Sequence, residues 1–191
     1  YLKNFYVENG IESPLSGDDY FQEIPASFLR GRAKASENVV AFIKGSEKPE
    51  EILVISAHYD HVGMKGDAIY NGADDDASGT SAVMEIAQAF KMAEKDGNGP
   101  KRSILFINLT AEEKGLFGSK WYVSHPIFPL ENTVANLNID MVGRVDKAHE
   151  TKSNYVYLIG SDKLSSELHN LSEQANQKYT HLDLDYTYND E

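Results

Sequence analysis

The 191-residue chain carries 30 acidic against 18 basic side chains, a formal charge of −12, and 41% of its residues are hydrophobic. That composition suits one globular domain with a full core, and the acidic balance excludes a phosphate-tracking surface, so nucleic acid is not an expected partner. The absence of cysteine excludes disulfides, thiolate metal ligands and a cysteine nucleophile, and no apolar run approaches the roughly 18 residues of a membrane-spanning helix.

Residues 1–10 read as the last turns of an amphipathic helix, with Leu2, Phe5 and Tyr6 on one side and Gly10 as its stop. Segments 20–24 and 35–44 read as strands, an antiparallel pair at the edge of a larger sheet. A buried strand follows at 51–56, where Ile52-Leu-Val-Ile55 is continuously apolar. It leads through a glycine-bearing loop into Asp74, Asp75 and Asp76. Apolar residues at threes and fours predict a helix over 78–95, and 103–109 is a second apolar strand. Two such strands around a helix make a βαβ unit with a parallel pair. A short helix is expected at 116–123, strands at 133–139 and 155–159, a helix at 164–175, and a period-two segment at 182–186. The sequence shows neither a repeat nor a linker, so 1–191 is expected to be a single α/β domain.

Three apolar strands each end in potential metal ligands: His58 with Asp60, Glu112 with Glu113, and Asp140. Asp75 belongs to the loop leaving the first. The carboxyl ends of strands are where an open α/β sheet places its ligands. One imidazole with several carboxylates suits zinc or a similar divalent ion, and their number exceeds what one tetrahedral ion needs. Adjacent Glu112 and Glu113 diverge on an extended backbone, which suggests one ligand and one free carboxylate acting as a base. The plainer readings are an aspartate-rich turn capping a helix and acids in a helix's first turn.

Four segments then resemble, in order, the signatures of the M28 zinc peptidases. They are Ser56-Ala-His-Tyr-Asp-His-Val-Gly63, Asn71-Gly-Ala-Asp-Asp-Asp-Ala-Ser-Gly79, Thr110-Ala-Glu-Glu-Lys-Gly-Leu-Phe-Gly-Ser119 and Asn138-Ile-Asp-Met-Val-Gly143. The resemblance implies a three-layer α/β/α domain with a central mixed, mostly parallel sheet, the zinc-peptidase (phosphorylase/hydrolase-like) fold. It implies two zinc ions and peptide substrates, with release of amino-terminal residues by a zinc-activated water. Matched by position, His58 and Asp140 are terminal ligands, Asp75 bridges and Glu113 binds the second zinc. Glu112 is the general base and Asp60 the acid behind the His58 ring. Asp74 and Asp76 are neighbours only. His61 is expected to be a loop residue, and His125, His149, His169 and His181 surface or capping residues.

The resemblance also implies a late histidine ligand that no segment here matches, so the expectation is a domain incomplete at both ends. Export, to the periplasm or outside the cell, is implied by resemblance alone. A carboxypeptidase or glutaminyl cyclase of the same fold, or a binding domain with a degenerate site, are the competing readings. Oligomeric state and side-chain preference are not legible.

Overall fold

The apolar runs become the strands of one mixed sheet. In the computed structural model, which describes residues 1–189, contacts divide the chain into units Tyr1–Gly143 and Arg144–Glu191. The first unit opens with helix α1 (Leu2–Asn9), which Gly10 stops at φ 72°. Strands β1 (Phe21–Ile24), β2 (Ser36–Ile43) and β3 (Lys48–His58) follow. The loop expected after β3 is a small hairpin, β4 (Gly63–Lys65) and β5 (Ala68–Tyr70). Helix α2 (Ala77–Lys95), strand β6 (Arg102–Leu109), helix α3 (Phe117–Ser124) and strand β7 (Thr133–Asn138) complete the unit.

The sheet order is β1-β2-β6-β3-β7. The β1/β2 and β2/β6 pairs are antiparallel, whereas β3 runs parallel to both β6 and β7. The sheet is therefore mixed, with parallel pairing confined to the half that carries the site. Period-two alternation sorts the side chains onto two faces. Val39, Ala41, Ile55, Ala57, Ile104 and Phe106 share a core with Tyr6 of α1 and Val83 and Ala87 of α2. Val40, Ile52, Val54, Leu105 and Ile107 pack on the other face with Tyr122 of α3. Both faces of β3 and β6 are buried, which is why these strands read as continuous apolar runs.

The second unit holds β8 (Tyr155–Tyr157), α4 (Ser166–Ala175) and β9 (Asp183–Asp185). Strand β8 pairs in parallel with β9 in a two-stranded sheet of its own. The strand expected at 155–159 therefore forms outside the five-stranded sheet. Its alternation Tyr-Val-Tyr specifies a strand but not a partner, and β9 supplies one within the same unit. Among the described residues no helix is long and apolar enough to cross a membrane.

Candidate metal centre

Register brings the ligand-bearing loops to one edge. His58 pairs with Leu109 across β3/β6, and Ser56 with Asn138 across β3/β7. The parallel strands therefore finish nearly level, and His58, the Thr110–Glu113 turn and Asp140 emerge side by side. His58 Nε2 lies 3.1 Å from Asp75 Oδ1, 3.8 Å from Asp140 Oδ2 and 4.0 Å from Glu112 Oε2. The candidate ligand atoms of His58, Asp75 and Asp140 all fall within 4.8 Å of one another. A cavity of about 220 Å³ opens beside them, lined in part by His58, Glu112, Leu116 and Asp140.

Two carboxylates hold this arrangement together. Asp76 caps α2, accepting the Gly79 amide at 2.9 Å, and it also accepts the amides of His58 (3.1 Å) and Met141 (3.2 Å). One side chain thus fixes the end of β3, the start of α2 and the Asp140 loop. Its own carboxyl is pushed up to about 6, by burial first, against the lowering effect of those amides. Asp60 accepts the amides of Glu112 (2.9 Å) and Glu113 (3.3 Å). Its backbone carbonyl takes the hydrogen bond from His58 Nδ1 at 3.0 Å, while its carboxylate stands 3.6 Å from that nitrogen. The ring is thus oriented mainly by the Asp60 carbonyl, and Nε2 is left to face a cation.

The backbone is unusual at each loop. The Asp75–Asp76 peptide is cis, and Ala111 and Met141 sit at φ 52° and 50°. At Gly79 a β-carbon would run into the Asp76 carboxylate and the Ile139 carbonyl, so only glycine lets α2 approach the Asp140 loop so closely.

These residues fit a divalent metal. Burial works to lower the His58 pKa, yet Asp60, Asp76, Asp140 and Glu112 together raise it to about 9. Burial, then Asp75 and Asp74, push the Asp140 carboxyl above its usual range. The field at His58 thus favours positive charge, and a nitrogen with two carboxylate oxygens is a zinc-type donor set. Glu113 is not among the converging ligand atoms, but its Oε1 is buried with no hydrogen-bond partner, a lone acceptor of the kind a cation satisfies.

The remaining histidines have other surroundings. His61 Nδ1 contacts the Tyr70 carbonyl at 2.7 Å and ties the root of the β4–β5 hairpin. His125 ends α3 and stacks on Trp121. His169 lies beside Ser161, and His181 follows the last helical turn at φ 55°. His149 is more engaged than a surface residue, set between Asp146 (3.0 Å) and Asp185 (3.1 Å) and stacked on Tyr155. The clamping roles of Asp60 and Asp76 had no signal in the sequence beyond a capping aspartate, because both act on backbone amides distant along the chain.

A mixed α/β sheet thus gathers a histidine and carboxylates, a candidate metal site, at the carboxyl ends of its parallel strands. The family profile described as Peptidase family M28 matches residues 38–191, and the chain belongs to that family. It is 35% identical over 150 residues to aminopeptidase YwaD of Bacillus subtilis (strain 168), covering 69% of this chain and 31% of that protein. It is 38% identical over 105 residues to the probable glutamate carboxypeptidase LAMP1 of Arabidopsis thaliana, covering 54% of this chain and 14% of that protein. Among solved structures, BSAP, a zinc aminopeptidase from Bacillus subtilis, superposes with a TM-score of 0.63 at 31% identity, over 79% of this chain and 34% of that one. The chain thus spans about a third of the length of these aminopeptidases.

Proposed function

We propose that the protein is a zinc-dependent peptidase that releases amino-terminal residues from peptides. The observation that carries this reading is the convergence of His58, Asp75 and Asp140 with Glu112 Oε2 4.0 Å from the same imidazole nitrogen. His58, Asp75 and Asp140 would hold one zinc, and Asp75 with Glu113 would contribute to a second. Zinc, when bound, supplies Lewis acidity to the scissile carbonyl and lowers the pKa of a water. Glu112 stands free of the ligand cluster and acts as the general base, taking the proton of the attacking water and passing it to the leaving amine. Asp60 keeps Glu112 in reach through its amide. The surrounding carboxylates favour a cationic amino terminus at the site, and the likeness to named aminopeptidases covers more of the chain than the likeness to the carboxypeptidase.

The test is zinc content by elemental analysis together with turnover of a leucyl chromogenic substrate. Glu112→Gln should retain zinc and lose about 100-fold or more in kcat. A protein that takes up no zinc, or a Glu112→Gln variant of near-normal rate, overturns the reading.

A further inference from the structure

Three of the 18 basic residues stand within five positions, Arg30-Gly-Arg-Ala-Lys34, in a chain whose net charge is −12. The strip precedes the residues matched by the family profile, which begin at 38. All three side chains are exposed, and among the described residues neither Arg30 nor Lys34 has an ion-pair partner or a side-chain hydrogen bond. A charge run of this kind is usually a solvated face. This one is instead seated on the loop that carries Glu112 and Glu113.

Arg32 Nη1 donates to the carbonyl of Lys114 at 2.8 Å, one residue beyond Glu113, and its guanidinium lies 6.0 Å over the Phe117 ring. Beneath the strip, Leu29 is fully buried in one apolar cluster with Ala111 and Phe117, joined by Phe28 and Ala33. Packing on both sides of the Glu112–Lys114 turn therefore fixes the place of the strip. Arg30 and Gly31, at φ 51° and 74°, turn the backbone sharply between two cations. One guanidinium donor is used by Lys114, which leaves the others for a planar acceptor.

We propose that Arg30, Arg32 and Lys34 bind a carboxylate of the peptide substrate, an inference that rests on the peptidase reading of the adjoining centre. Among the described residues that line the cavity beside the metal centre there is no lysine or arginine, so the cavity itself offers a substrate carboxylate no cationic side chain. A short zwitterionic peptide must place its carboxylate elsewhere, and the strip reaches the catalytic loop at Lys114. Both a C-terminal α-carboxylate and an acidic side chain offer the chemistry.

The experiment compares Leu-Gly-Gly as free acid, Leu-Gly-Gly amide and Leu-Gly-Asp amide, at low and high salt, with the zinc-loaded protein and with R30Q/K34Q. That double variant leaves the Arg32–Lys114 hydrogen bond in place. The expected result is a KM about 5-fold lower for a carboxylate-bearing peptide than for the neutral amide, with similar kcat. The advantage should shrink at high salt and fall towards unity in R30Q/K34Q. An advantage of the free acid alone assigns the α-carboxylate, and one of the aspartyl peptide assigns the side chain. Equal KM values for all three peptides, or an advantage that survives R30Q/K34Q, overturn the proposal. Failure to turn over even the neutral amide overturns the peptidase reading instead. Calorimetric titration of the same peptides then still decides whether the strip binds a carboxylate, and no difference between acid and amide overturns it.

Discussion

Asp60 Oδ1 accepts the backbone amide of Glu112 at 2.9 Å, across 52 residues of chain. The same residue holds the His58 ring through its carbonyl, so the imidazole and the Glu112 turn share one anchor. Burial opposes ionisation of Asp60, yet His58 and the Glu112 amide hold its carboxyl below the usual range. Asp60→Asn turns one amide acceptor into a donor that faces an N–H. Zinc affinity and kcat should both fall about 10- to 100-fold, and amide hydrogen exchange at Glu112 and Glu113 should accelerate. A loss of zinc affinity with exchange unchanged would show that the amide contacts play no part.

Asp75 and Asp76 are adjacent but face different tasks, one towards His58 and the other towards three backbone amides. Asp75→Asn should weaken zinc binding with little change in urea stability of the metal-free protein. Asp76→Ala leaves buried amides unpaired and removes a helix cap, at a cost of about 3 kcal/mol. Calorimetric zinc titration beside urea unfolding separates the two, and equal effects at both positions would contradict the division.

Ala111 sits in the left-handed region at φ 52° while 4% exposed, directly before Glu112. A methyl side chain tolerates that conformation at about 1–2 kcal/mol. Ala111→Gly relieves that strain but loses a buried methyl, about 0.8 kcal/mol, and adds unfolded-state entropy, so stability should change by less than about 1 kcal/mol, whereas β-branched Ala111→Val should cost more than about 2 kcal/mol. Urea midpoints of the two variants check the contrast. A tolerated valine would mean that the turn before Glu112 readily adopts another conformation.

In the second unit the Tyr157 hydroxyl, and then His149, hold the Asp146 carboxyl down at about 2, from an ordinary 3.8. The folded pKa is the lower of the two, so the stabilisation is complete above about pH 4 and is lost as pH falls through about 2. NMR titration of Asp146 and near-UV circular dichroism of Tyr155 and Tyr157, which meet edge-on, should show this acid transition. Asp146→Asn should remove the titration, and a midpoint near 4 in the wild type would refute the contact.

The sequence by itself determined the elements and the candidate ligands. Period-two and continuous apolar runs depend on local burial, so β2, β3, β6 and α2 were legible within a few residues. His58, Glu112 and Asp140 stood out because they follow strand ends, and Asp75 because it sits in a run of three aspartates before a helix. The β4–β5 hairpin was not legible, since Met64, Ile69 and Tyr70 are exposed and leave no amphipathic pattern. Only the tertiary structure decided that Asp75 faces His58 while Asp76 turns to the amides of His58, Gly79 and Met141. It likewise decided that Asp60 clamps the Glu112 turn and that β8 pairs with β9. Each of these depends on hydrogen bonds or strand pairing between residues far apart in the chain. Side-chain type states what a residue can bond, but the partner is fixed only when packed strands and helices bring one donor or acceptor within about 3 Å.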